Sequence, residues 1–188
     1  MKTNIFPAIK LTVICILFFS GFYSLAVWGM ALVVALNHGK GETVQVNGKT
    51  VGYALIGQKF TDDKYFWSRP SAVDYNAAGS CGSNKGPSNP DYLALVQERL
   101  DTFLVHNPGV KKEDVPAELV TASGSGLDPD LSPKAATVQI ARIAKIRNIT
   151  EEKLTALVTS NTQKPWLGLF GPSKINVLKL NIELDNLK

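Results

Sequence analysis

The chain has 188 residues, is 45% hydrophobic and carries a formal net charge of +4. Of its 20 Lys+Arg only Lys2 and Lys10 precede residue 37, so the remainder meets 16 Asp+Glu nearly in balance, which argues against nucleic acid as a partner. Its two cysteines lie apart, Cys15 in an apolar run and Cys81 in a Gly/Ser loop, so they suggest no disulfide framework and do not reveal the redox compartment.

No Lys, Arg, Asp or Glu occurs between Lys10 and Lys40. A bilayer core needs about 20 apolar residues, and a signal peptide's apolar stretch runs to only about 15. Residues 11–36 are therefore expected to form one transmembrane helix, between a short tail (1–10) and a single soluble domain (37–188). Lys2 and Lys10 before the run are matched by Lys40 and Lys49 after it, so charge bias does not orient it. Ser20, Ser24, Ala31 and Ala35 fall on one side of such a helix, where small residues let another span approach.

In the polar part, residues 44–46 and 51–56 flank Asn47-Gly48, a strong hairpin signal. Residues 60–88 have no helical period and are expected to form a long structured loop. Asn89-Pro90 then opens a helix with Leu93, Val96, Leu100, Phe103 and Leu104 inward, ending before Pro108-Gly109. After a Gly/Ser loop at 120–129, Ser132-Pro133 opens a second helix. There Ala135, Val138, Ala141 and Ile146 are expected inside, and Lys134, Arg142 and Lys145 outside. Thr150 caps a third helix that packs Leu154, Leu157 and Val158. Residues 175–184 alternate at Leu178, Leu180, Ile182 and Leu184, the pattern of a half-buried strand with a bulge near its start. A small antiparallel sheet with about three helices, segregated along the chain, is an α+β domain.

The chemical motifs are weak. Gly48-Lys49-Thr50 resembles the end of a phosphate loop, but Thr43 stands where the motif needs Gly and the surroundings are a hairpin. Ser123 and Ser125 do not satisfy the glycine spacing of a nucleophile elbow. The two histidines, His38 and His106, lie far from both serines in sequence. No Cys/His cluster has metal-ligand spacing, and Asp128 and Asp130 around Pro129 suit a turn better than a cation site. Arg69, beside Trp67 and before Pro70-Ser71, suits an anion, a stack on Trp67 or a pair with Asp74.

Longer stretches carry more information. They are Ala54-Leu-Ile-Gly-Gln-Lys-Phe60, Tyr65-Phe-Trp-Ser-Arg-Pro-Ser-Ala72, Gly82-Ser-Asn-Lys-Gly-Pro-Ser-Asn-Pro90, Leu119-Val-Thr-Ala-Ser-Gly-Ser-Gly-Leu-Asp-Pro129 and Asn176-Val-Leu. In this order, and across nearly the whole chain, they resemble the C subunits (KdpC) of the Kdp potassium-transporting ATPase. Departures include Asp130 where the family has His after Asp-Pro, and Cys81 inside a Ser-Gly-Gly-Ser-Asn pattern.

The resemblance implies a non-catalytic accessory subunit of a high-affinity potassium uptake complex in a bacterial inner membrane. Its implied partners are a potassium-binding channel-like subunit, a P-type ATPase subunit and a small single-span subunit. Its implied role is to support assembly and raise the ATPase subunit's affinity for ATP. Family topology places the soluble domain outside the cytoplasm, whereas direct contact with ATP, for which Gln139 is the candidate, would need it inside. Motif residues that would meet partners or fold the domain are Arg69, Pro70, Ser71, Gly82, Ser83, Asn84, Gly86, Pro87, Asn89, Ser123, Ser125 and Asp128. The competing reading is a membrane-anchored extracytoplasmic hydrolase using the loop from Ser123 to Asp130.

Overall fold

The computed structural model describes residues 4–187, in two compact units, Met1–Glu42 and Thr43–Lys188. The first is built on one helix, α1 (Ile5–Val34), whose apolar side chains have no core of their own to enter. Length and composition make it able to cross a membrane. It begins six residues before the expected run and takes in Lys10, because Pro7 falls in the first turn, where its missing N–H forfeits no helical hydrogen bond. Its middle, Leu17–Tyr23, is wound as a π-helix, and the Ser24 hydroxyl donates to the Phe19 carbonyl at 3.1 Å. The helix stops at Val34: Ala35 turns extended and Asn37 and His38 adopt positive φ. Ser20, Ser24 and Ala31 thus lie in the helix, while Ala35 is its C-terminal flank.

The second unit opens with a hairpin, β1 (Thr43–Val46) and β2 (Lys49–Tyr53), joined at Asn47 (φ 51°) and Gly48 (φ 74°). Positive φ at both turn residues gives the turn twist that matches the strands. The ladder is antiparallel, with a register shift between Val44 and Gln45. Helix α2 (Pro90–His106) is capped by the Asn89 side chain, which accepts from the Tyr92 N–H at 3.0 Å. It buries Leu100 and Phe103, whereas Leu93 faces solvent because the first turn projects beyond the core.

The region after Ser132 is two helices, α3 (Pro133–Thr137) and α4 (Ile140–Arg147), where one was expected. The break at Val138 and Gln139 turns the following face. Ala141 and Ile146 are exposed, and Arg142 is buried, the reverse of the expected pattern. Helix α5 (Glu151–Ser160) follows its Thr150 cap and buries Leu154, Leu157 and Val158 as the pattern requires.

The end of the chain departs most from the sequence pattern. Only Ile175–Asn176 is extended: it forms β4, antiparallel to β3 (Asp130–Leu131). The rest is a helix, α6 (Val177–Asn186), capped by Asn176 through the Lys179 N–H at 3.0 Å. Val177, Leu180, Asn181 and Leu184 recur at helical spacing and are buried, while Ile182, on the apparent strand face, is only half-buried. The whole is an α+β unit whose core gathers Phe66, Leu131, Ile143, Leu154, Ile175, Leu180 and Leu184.

Candidate functional site

The long loop between β2 and α2 runs through the core without a strand partner. Its residues Phe66 and Trp67 bring backbone polar groups inside, and these need hydrogen bonds. Two side-chain amides supply them. Asn181 of α6 accepts from the Phe66 N–H at 2.9 Å and donates to the Phe66 carbonyl at 3.0 Å. Gln139, fully buried between α3 and α4, accepts from the Trp67 N–H at 2.8 Å and donates to the Trp67 carbonyl at 3.3 Å. Each amide stands in for a neighbouring strand.

Gln139 also donates to the Ala135 carbonyl at 3.0 Å and accepts from the Arg142 guanidinium at 2.8 Å. Both its N–H groups and its oxygen are thereby engaged inside the fold. Arg142 is itself buried. It donates to Asn107 Oδ1 (3.0 Å), to the Tyr65 carbonyl (3.1 Å) and to the Asp63 carbonyl, and its plane lies 4.8 Å from the Trp67 ring centre. Burial lowers its pKa to about 10, with Asp63 and then Asp62 pulling it back up. Asp63 in turn bonds His106 Nδ1 at 2.8 Å, and the His106 ring sits 4.8 Å from that of Trp67. The sequence pattern puts Arg142 on the solvent side and gives Asn181 no role, although each is a polar residue inside an apolar helical face.

The other motif residues meet at a second junction. Arg69 pairs with Asp128 at 2.8 Å, not with Asp74, which pairs with Lys59. Arg142, not Arg69, stacks on Trp67. Arg69 Nε is buried and has no partner among the described residues. Next to the half-buried Pro70, the Ser71 hydroxyl donates to the Gly126 carbonyl at 2.6 Å and accepts from the Val73 and Tyr75 N–H groups. Ser80 donates to the Ser125 carbonyl at 3.0 Å. Gly126 has φ +68°, and a Cβ there would stand 2.8 Å from the Cys81 carbonyl oxygen. A Cβ on Gly82 would come within 3.1 Å of the Gly124 carbonyl oxygen. The two glycine-rich loops are therefore packed backbone to backbone.

Ser123 is buried and its oxygen accepts from the Gly126 N–H at 2.9 Å; Ser125 accepts from the Leu127 N–H at 3.1 Å. Both hydroxyls brace the turn. Asp128 Oδ1 accepts from the Asp130 N–H at 3.0 Å, and Asp130 pairs with Lys174 at 2.7 Å. Among the described residues no group of three or more His, Cys, Asp or Glu is placed to hold a metal. Ser83, Asn84, Gly86 and Pro87 stand at the surface, and Asn89 is the helix cap.

Among the described residues His106 bonds Asp63 and His38 bonds the Leu32 carbonyl, while Ser123 and Ser125 accept from backbone N–H groups. The profile of a family described as "KdpC: K+-transporting ATPase, c chain" matches residues 5–186. The chain belongs to the KdpC family. It is 57% identical over 185 residues to the potassium-transporting ATPase KdpC subunit of Flavobacterium psychrophilum, covering 98% of this chain and 99% of that protein. The KdpC subunit of Bacteroides fragilis is 52% identical over 190 residues, covering 100% and 99%. That of Caldanaerobacter subterraneus subsp. tengcongensis is 45% identical over 184 residues, covering 98% and 95%. The KdpC match therefore takes in the apolar helix, both glycine-rich loops and the clamp that Gln139, Arg142 and Asn181 form on Phe66 and Trp67.

Proposed function

We propose that this chain is the accessory subunit of an ATP-driven potassium uptake complex and performs no hydrolysis itself. The observation that carries this is full-length similarity to KdpC subunits, joined to a site in which Ser123, Ser125, Asp128 and Asp130 already brace loops. α1 anchors the chain in the bacterial inner membrane, and the second unit lies outside the cytoplasm. Its partners are a channel-like potassium-binding subunit, the P-type ATPase subunit and a small single-span subunit. The loop 82–89 and the small residues Ser20, Ser24, Ala31 and Ala35 are the surfaces offered to them.

In this proposal the chain supports assembly and raises the ATPase subunit's affinity for ATP by holding that subunit's conformation. For Gln139 to meet an adenine edge, its amide would have to leave Trp67, Ala135 and Arg142. Each buried group left unpaired costs about 1–3 kcal/mol, which favours indirect action. The test is potassium-stimulated ATP hydrolysis by the complex purified with and without this chain. The expected result is an intact complex only with the chain present, and a higher KM for ATP without it. Unchanged assembly and KM would reject the proposal. Titration of the full chain with millimolar ATP separates the two routes: saturable binding would show direct contact.

A further inference from the structure

Residues 163–174 form an arm that serves neither the clamp nor the loop junction. Gln163 and Lys174 exchange backbone hydrogen bonds of 2.8 and 3.0 Å at its base, and Trp166 and Phe170 do the same at 3.0 Å further out. Leu167 (φ 54°) and Gly168 (φ 73°) reverse the chain. A β-turn therefore carries Trp166, Leu167, Leu169 and Phe170 at its end, 71%, 72%, 82% and 59% exposed. A folded hairpin holding four large apolar side chains in water needs an apolar surrounding.

Two features of the chain indicate which surrounding. No Asp or Glu occurs between Glu152 and Glu183, while Lys164 is exposed beside the tip. Lys174 at the base is neutralised by Asp130. Trp with Leu and Phe, flanked by Lys and free of acid, is the composition that settles at a membrane–water interface. In addition, only residues 35–42 separate the end of α1 from β1. Eight residues span at most about 28 Å, so a chain anchored by α1 keeps its second unit at the bilayer surface.

We propose that the tip at residues 166–170 is a second membrane contact, seated among the headgroups and upper acyl chains of an anionic bilayer. This rests on the reading of α1 as a membrane span. Trp166, Leu167, Leu169 and Phe170 enter the interface while Lys164 meets lipid phosphate.

The test uses the full chain with Cys15→Ser and Cys81→Ser, reconstituted in vesicles of phosphatidylcholine and phosphatidylglycerol. An environment-sensitive dye is placed singly at Leu169→Cys, Val27→Cys or Glu152→Cys. The expected result is blue-shifted emission and several-fold lower iodide quenching at positions 27 and 169, with position 152 remaining aqueous. The protection at 169 should weaken when phosphatidylglycerol is omitted. An aqueous signal at 169 with a lipid signal at 27 overturns the tip proposal alone. An aqueous signal at 27 overturns the span reading itself. Protection at 169 that appears only at high protein-to-lipid ratio, or only when partner subunits are added, assigns the tip to a protein surface and overturns the lipid contact.

Discussion

Asn181 and Phe66, 115 residues apart in sequence, exchange two hydrogen bonds of 2.9 and 3.0 Å, as a pair of strand residues would. A loop that enters a core normally leaves its peptide groups unpaired, and that is why loops stay on surfaces. Here one carboxamide satisfies both groups of one residue, and Gln139 does so for the next. The aromatic pair Phe66 and Trp67 is thereby held at a fixed depth, with Arg69, Pro70 and Ser71 leading outward from it. Asn181→Leu should therefore cost about 3 kcal/mol, since two buried backbone groups lose their partners. The check is the urea midpoint of the purified chain, read by tryptophan fluorescence, with the slope unchanged.

Gln139 and Arg142 should act as one unit, because the guanidinium donates to the same oxygen that receives the Trp67 N–H. Gln139→Ala and Arg142→Met are each expected to destabilise by about 3 kcal/mol. The double variant should fall short of the sum by about 1 kcal/mol or more, the coupling typical of residues in one network. Additive losses would mean that the two side chains act independently. Arg142→Lys should not rescue the loss, since a single ammonium cannot reach Asn107, Tyr65 and Gln139 together in the fork geometry of a guanidinium.

The sequence was most legible where local chemistry decides. Asn47-Gly48, Asn89-Pro90, Ser132-Pro133 and Thr150 each mark a turn or cap that the fold uses. It was least legible where one segment satisfies two periods. Leu178, Leu180, Ile182 and Leu184 alternate, yet Val177, Leu180, Asn181 and Leu184 also repeat at helical spacing, and the Asn176 cap favours the helix. Asn181 interrupts the apolar helical face and so was the available clue to a buried amide. Arg142 was misplaced because the break at Gln139 rotates the face that follows, a tertiary choice with no local signature. The pairing of Arg69 with Asp128 depends on two loops meeting, which spacing along the chain does not reveal.

The helical assignment of the last segment makes a prediction that a strand would not. Leu184→Ala should cost about 3 kcal/mol, because the side chain is fully buried in the core. Ile182→Ala should cost less, about 1 kcal/mol, because Ile182 is only half-buried on the flank of α6. A strand with one buried face would make both changes comparable. Denaturation midpoints of the two variants decide between them.

Tyr75 links the loop junction to pH. Its hydroxyl donates to the Arg69 carbonyl and bonds Ser68 Oγ at 2.8 Å. Burial raises its pKa above the ordinary value of 10, with the Ser68 hydrogen bond opposing. A proton held more tightly in the folded state gives stability that is complete below pH 10 and declines as pH rises through the folded value. Phenolate absorbance at 295 nm should therefore show a component that ionises above the ordinary tyrosine value of 10. Tyr75→Phe should remove that late step and its share of the alkaline stability loss. An unchanged alkaline titration in the variant would refute the assignment.

The packed glycine loops separate a bracing role for the serines from a catalytic one. Ser123→Ala and Ser125→Ala each remove one hydrogen bond to a backbone N–H and should cost about 1 kcal/mol of stability. Gly126→Ala should do more harm, about 2 kcal/mol or above, because its φ of +68° disfavours any side chain and a Cβ would press on the Cys81 carbonyl and Val73. If the loop only braces the fold, potassium-stimulated ATP hydrolysis by the assembled complex should follow the amount of folded subunit in all three variants. The two serine variants, being the more stable, should then retain the more activity. A hydrolase that used Ser123 or Ser125 would show the opposite order, with a serine variant inactive while fully folded. Measuring turnover per folded complex for the three variants side by side distinguishes the two outcomes.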